Sequence, residues 1–199
     1  MQIEPFPEKD GYRCWLSHDE QDQLLDEYSE EPRKQVALRG LLHGLRSDEI
    51  EWMRTRNIRR LESDLEAYKL RIEDGKTGYR ETPLQSRLKE QMLMLKNARQ
   101  LTQDDPLVDV TNRTIQRWVT AAAESVSDST GVSEWEFVSA HDLRRTWATH
   151  TYYALDAHYA TEVVMRWGGW DDRETFVDNY LGRETDDLAA SMMDEAGLR

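Results

Sequence analysis

Forty residues, His141 to Tyr180, set the tightest constraint on what this chain can be. They read HDLRRTWATH, a short spacer, RWGGW, and then the tyrosine of FVDNY. Any fold must therefore accommodate a histidine, an arginine three residues on, a glycine-flanked tryptophan and a late tyrosine within one stretch. The arginine at 144 can grip phosphate oxygens with a planar fork of donors. His141 can pass protons near neutral pH, and Tyr180 can serve as a covalent nucleophile. Groups of this kind gathered together point to phosphoryl transfer without a metal, provided that the upstream chain supplies the missing parts.

The rest of the sequence bounds the setting. A chain of 199 residues fits one domain. The single cysteine, Cys14, excludes an internal disulfide and a cysteine-rich zinc site. That suits a reducing cytoplasm, which is the expected location. No apolar run is long enough to span a membrane and no signal peptide opens the chain, so no membrane partner is expected.

A formal net charge of -13 argues at first against nucleic acid. Its distribution argues otherwise. Residues 1–32 carry two basic and ten acidic groups, residues 33–99 sixteen and ten, and residues 100–199 eight and nineteen. A basic middle lies between acidic flanks, and binding depends on local charge at a face. The acidic excess also fits a saline interior. At about 1 M salt the Debye length is roughly 3 Å, so surface repulsion fades while carboxylates keep the protein soluble. An extreme halophile is the leading explanation, and an ordinary acidic protein the bland one.

Local signals outline a mixed α+β chain, mostly α-helical with a small antiparallel β-sheet. Residues 1–14, with two prolines and a glycine, read as an extended lead-in. Ser17–Glu20 has the form of a capping box and opens a helix through about Tyr28. Pro32 suits the first turn of a second helix with Leu38, Leu41, Leu42 and Leu45 on one face. Gly44 ends it, Arg46 follows in the turn, and Ser47 starts a short helix with Ile50 and Met53 inward. Three short strands are expected between Asn57 and Leu84, with a hairpin turn at 74–78 and Lys76 at its tip. A helix is expected over 86–100, and another from Thr111 past Ala122. The polar, glycine-broken SVSDSTGVSEWE reads as a surface loop. Ser139 caps the helix of His141 and Arg144, and helices near 159–167, 172–180 and 184–196 follow.

HDLRRTWATH closely resembles the second signature box of the tyrosine recombinases (phage integrases), where H-x-x-R heads a buried helix. LLHGLRSDEI resembles that family's first box, DGKTGYRETPL its lysine-bearing hairpin, and WGGW its next box. The resemblance runs over roughly residues 15 to 185. It implies six catalytic residues, Arg46, Lys76, His141, Arg144, Trp170 and Tyr180, with Glu49 as structural support for Arg46. The two arginines would hold the phosphate, Tyr180 would attack it, and Lys76 would protonate the departing 5′ oxygen. His141 would move the tyrosine's proton, and Trp170 would donate its indole N–H. Ten positions separate Trp170 from Tyr180, where the family commonly has nine. The extra residue either sits in the Asp171–Glu174 turn or displaces the tyrosine.

Several further expectations follow from the resemblance. Residues 15–199 form a recombinase catalytic domain with a C-terminal helix, without the family's N-terminal core-binding domain in this chain. The partner is double-stranded DNA, with a homo-oligomer of two to four protomers assembled on it, and no cofactor or metal is required. Arg54, Arg56, Arg59, Arg60 and Arg145 are the candidate DNA-backbone contacts, with pairing to an acid as the equal alternative for Arg145. Leu188, Met192 and Met193 line one face of the acidic tail, which docks on a neighbouring protomer or on its own domain. A type IB topoisomerase-like enzyme and a non-catalytic DNA-binding regulator are the alternatives.

Overall fold

Ser17 accepts the Glu20 backbone N–H at 3.3 Å while the Glu20 carboxylate accepts the Ser17 N–H at 2.7 Å. This reciprocal cap satisfies two donors that a helix start leaves orphaned, and it begins α1 (His18–Asp26). The computed structural model describes residues 1–6, 10–73, 75–76, 78–184 and 186–199, and of Asp187 the backbone only. Pro32 occupies the first turn of α2 (Pro32–Leu41), where its missing N–H costs nothing. That helix buries Val36, Leu38 and Leu41, each contributing about 1.5–3 kcal/mol by leaving water. Gly44, at φ 83°, turns the chain into α3 (Ser47–Ile50).

Strands β3 (Ile58–Arg60), β4 (Tyr68–Ile72) and β5 (Arg80–Leu84) form an antiparallel sheet in chain order. Leu70 pairs with Ile58 on one side and Thr82 on the other. The alternation of β5 turns Arg80, Thr82 and Leu84 inward. The later helices are α4 (Ser86–Ala98), α5 (Asn112–Thr130), α6 (Ala140–Ala154), α7 (Ala160–Gly168), α8 (Arg173–Tyr180) and α9 (Asp186–Glu195). Leu88, Met92 and Leu95 face the core from α4, as their spacing predicts.

Helix α6 is the axis of the domain, with every residue from Asp142 to Thr149 buried. Its polar side chains have partners. Asp142 Oδ1 accepts the Cys14 N–H at 3.0 Å, and Thr146 Oγ1 accepts the Leu16 N–H at 3.0 Å. A strand lies against α6 here, which the sequence reading did not anticipate. Residues 1–14 do not run as a plain lead-in: β1 (Gln2–Pro5) pairs antiparallel with β2 (Tyr12–Trp15), and Cys14, Trp15 and Leu16 are fully buried.

The polar stretch after Ala123 also departs from expectation. It continues α5 to Thr130 instead of forming a loop. Val126 extends the inward stripe of Ile115, Val119 and Ala122, and the Ser129 hydroxyl donates to the Val126 carbonyl at 3.1 Å. Gly131, at φ 72°, ends the helix, and a 3₁₀ turn (Ser133–Phe137) then seats Trp135 in the core. On α9, Met192 and Met193 remain exposed. No helix among the described residues is long and apolar enough to cross a membrane.

Candidate active site

The site begins at Gly44. A β-carbon there would lie 2.5 Å from the Trp147 ring of α6, so only glycine lets α2 exit flat against that helix. The turn delivers Arg46 to the start of α3. Glu49 then reaches back, accepting the Arg46 backbone N–H at 2.7 Å and its Nη1 at 2.9 Å. Arg46 Nη2 donates to the Gly169 carbonyl at 2.8 Å.

Arg144 comes to the same turn from α6. It is 1% exposed, and its two terminal nitrogens donate to the Gly44 and Gly168 carbonyls. Two arginines a hundred residues apart in sequence thus grip adjacent carbonyls at the C-terminal end of α7, where a helix presents partial negative charge. Arg144 Nε is buried and makes no hydrogen bond within the described residues. Burial, then the nearby Arg46 and Arg80 cations, bring the Arg144 pKa down to about 9, against the pull of Glu49. The group stays cationic at neutral pH.

Arg80 is a member of this cluster that sequence reasoning missed. It is buried on β5, with Nη2 2.5 Å from Glu49 Oε2 and 3.2 Å from the Gly44 carbonyl, and Nη1 on the Trp167 carbonyl. The signal was present in the two-residue alternation, which puts residue 80 on the inward face with Thr82 and Leu84.

The aromatic side of the site is equally close. The WGGW turn is tight because a β-carbon at Gly168 would collide with the Trp170 ring. Trp170 stacks on Trp147 at 6.2 Å between centroids and lies 4.2 Å beneath the Arg144 guanidinium. Its indole Nε1 is buried and makes no hydrogen bond within the described residues. The half-buried Tyr180 ring is 4.5 Å from Trp170 and 5.0 Å from His141. The ten-position spacing therefore does not carry the tyrosine away from Trp170. Asp172 caps α8 by accepting the Thr175 N–H. A cavity of about 470 Å³ opens here, with Arg46, His141 and Arg144 in its wall.

Lys76 is exposed on the turn between β4 and β5. That turn reaches the cluster, since a β-carbon at Gly75 would sit 3.1 Å from Glu49 Oε1. Asp74 and Thr77, also in the expected hairpin turn, lie outside the described residues.

The proposed DNA contacts are placed less uniformly. Arg54 donates to the Asp104 and Trp52 carbonyls, Arg56 pairs with Asp104 and Glu73, and Arg59 makes a bidentate pair of hydrogen bonds to the Glu81 carboxylate at 2.7 and 2.6 Å. Arg60 is exposed at the end of β3. Arg145 takes the acid-pairing alternative and not the DNA contact. It is buried, pairs with Asp142 at 2.6 Å and donates Nε to the Asn179 carbonyl at 2.8 Å.

Solved structures share this fold. The XerA recombinase superposes with a TM-score of 0.67 over 94% of this chain and 66% of its own, at 19% identity. The XerH site-specific recombinase bound to difH substrate gives 0.61 over 90% of this chain and 53% of its own, at 17% identity. The lambda integrase catalytic core gives 0.56 over 80% of this chain and 94% of its own, at 20% identity. The fold is that of the tyrosine recombinase catalytic domain. This chain spans a little under two thirds of the XerA recombinase and about half of the XerH recombinase. No protein-family model matches the sequence, and no curated protein matches it.

Proposed function

We propose that this chain cleaves and rejoins double-stranded DNA as a site-specific recombinase, through a 3′-phosphotyrosyl intermediate on Tyr180. The observation that carries this reading is the meeting of the Arg46 and Arg144 guanidiniums with the Trp170 and Tyr180 rings around one turn. A phosphodiester is anionic, so an oxygen nucleophile reaches phosphorus only once that charge is countered. Arg46 and Arg144 hold the two non-bridging oxygens and stabilise the extra charge of the pentavalent state. The buried Trp170 indole N–H adds a donor.

The Tyr180 oxygen bonds to phosphorus as the bond to the 5′ oxygen breaks. His141 accepts the phenolic proton, and Lys76 gives one to the leaving oxygen. In the reverse step a 5′-hydroxyl displaces the tyrosine, and each proton returns. The phosphotyrosyl bond conserves the energy of the phosphodiester, so rejoining needs no added energy source. Glu49 supports Arg46, and Arg54, Arg56, Arg59 and Arg60 contribute positive charge toward the DNA backbone. The protein acts in the cytoplasm as paired protomers on DNA, integrating or excising a viral or mobile element. Its net charge of -13 supports a saline cell.

A randomised duplex pool enriched on the Tyr180→Phe protein yields a binding site, and nicking that site makes a trap for the covalent state. Wild type accumulates a protein–DNA adduct on it and Tyr180→Phe does not. Binding without an adduct from either protein favours a non-catalytic regulator. An adduct accompanied by supercoil relaxation, without strand exchange, favours a topoisomerase.

A further inference from the structure

Helix α8 ends without a glycine cap. The chain leaves it in an extended conformation at Leu181, so the last carbonyls need other donors. They find them on two elements of the same chain. Arg13 Nη1 from β2 donates to the Asp178 carbonyl, and Arg145 Nε from α6 donates to the Asn179 carbonyl at 2.8 Å. The Tyr180 carbonyl accepts twice, from Trp15 Nε1 at 3.1 Å and from Thr149 Oγ1 at 3.0 Å. Thr149 Oγ1 in turn accepts the Gly182 N–H at 2.9 Å. Three successive carbonyls are held by four side chains, two of them guanidinium cations at the negative end of a helix dipole.

The donors are themselves immobile. Trp15 is fully buried, and its ring presses so closely on Gly182 that a β-carbon there would lie 2.6 Å from it. Arg145 is fixed by Asp142, which also accepts the Cys14 N–H of β2 and caps α6 through Ser139. The terminal hairpin, α6 and the end of α8 therefore form one hydrogen-bonded unit.

We propose that Arg13, Trp15, Arg145 and Thr149 are positioning residues that fix the Tyr180 backbone beside the Arg46–Arg144 pair. This inference rests on the strand-cleaving reading above. A backbone anchor acts on where the phenol sits and leaves the DNA-holding groups untouched. Its loss is therefore read in the rate of adduct formation, not in affinity.

The test uses the nicked duplex obtained with the Tyr180→Phe protein. Arg145→Met slows adduct formation about 100-fold, the scale of a misplacement near 1 Å, while its Kd for the duplex stays within about twofold. Arg145→Lys, which keeps a donor and a charge, recovers part of that rate. Thr149→Val, nearly isosteric, slows it about tenfold and carries the same prediction if Arg145→Met fails to fold. Wild-type rates from a folded Thr149→Val protein, or a slow rate matched by an equal loss of affinity, overturn the anchor. A wild-type protein that forms no adduct removes the strand-cleaving reading and this inference with it, an outcome distinct from active wild type with unaffected variants.

Discussion

Glu49 Oε2 lies 2.5 Å from Arg80 Nη2, with 3% and 4% of the two side chains exposed. The same carboxylate bonds Arg46 at 2.9 Å and lies 4.0 Å from Arg144. One negative charge thus stands among three positive ones in a dry site. The excess of positive charge is what an anionic phosphodiester would complete. Burial alone would raise the Glu49 pKa, but Arg80, the Arg46 backbone N–H and the other two guanidiniums together hold it below the ordinary carboxylate value.

Breaking this pair from one side leaves an uncompensated buried charge. Arg80→Met is expected to destabilise the fold by about 3–5 kcal/mol, and Arg80→Met with Glu49→Gln by clearly less. Urea unfolding of the single and double variants measures the difference. If the two are equally unstable, Arg80 contributes packing and not charge pairing.

Gly44 joins the clusters, since its carbonyl accepts from both Arg80 and Arg144. Gly44→Ala meets a left-handed backbone, which costs an ordinary residue about 1–2 kcal/mol, and a ring with no space to yield. Overpacking adds roughly 1–3 kcal/mol. The variant should melt well below wild type. At temperatures where it remains folded, it should form adduct more slowly because its carbonyl no longer seats the two guanidiniums. A melting temperature equal to wild type would contradict the close approach of Gly44 to Trp147.

Acid should weaken the fold in two stages. Burial pushes the His43 pKa from 6.5 down to about 4, only partly opposed by the Arg39 carbonyl it bonds at 2.7 Å. The unfolded chain therefore takes up this proton first. The contribution of neutral His43 is complete above pH 6.5, declines as pH falls toward 4, and levels below that, a change of about 3 kcal/mol. Glu49 has the opposite charge but the same direction of effect. Its stabilisation is present above the ordinary value of 4.5 and is lost as pH falls through its lowered native value. Urea midpoints at pH 7.5 and 4.5 should differ markedly for wild type and much less for His43→Gln.

Local chemistry made much of this legible. The Ser17 cap, Pro32 and the left-handed Gly44 all act within a few residues, and each appears where its sequence signal lies, although α2 stops at Leu41 and leaves Leu42 and Leu45 beyond it. What was hidden depends on partners distant in sequence. Residues 1–14 have no periodicity, yet β2 forms because α6 offers Asp142 and Thr146 to its backbone 128 and 130 residues away. Arg145 reads as a surface charge until α8 presents a carbonyl to it. The end of α5 was misread for another reason. Its serines and threonines resemble loop residues, but Val126 continues the inward stripe and two of their hydroxyls bond back to it. Arg80 was readable from strand alternation, but an inward arginine runs against composition until Glu49 is opposite it.

Salt provides the last prediction. The fold carries a net charge of -13, and like charges on a compact surface repel. Raising salt from about 0.1 to 1 M shortens the screening length from roughly 10 to 3 Å, which relieves that repulsion. Exposed pairs such as Arg56 with Glu73 and Asp104 also weaken, but such solvated pairs contribute little. The buried Glu49–Arg80 pair is screened far less. The melting temperature should therefore rise by several degrees across this range, about 2–4 °C for each 1 kcal/mol in a domain of this size. A sodium chloride series followed by circular dichroism measures it. A flat or falling profile would mark an ordinary acidic surface and remove the reason to place this protein in a saline cell.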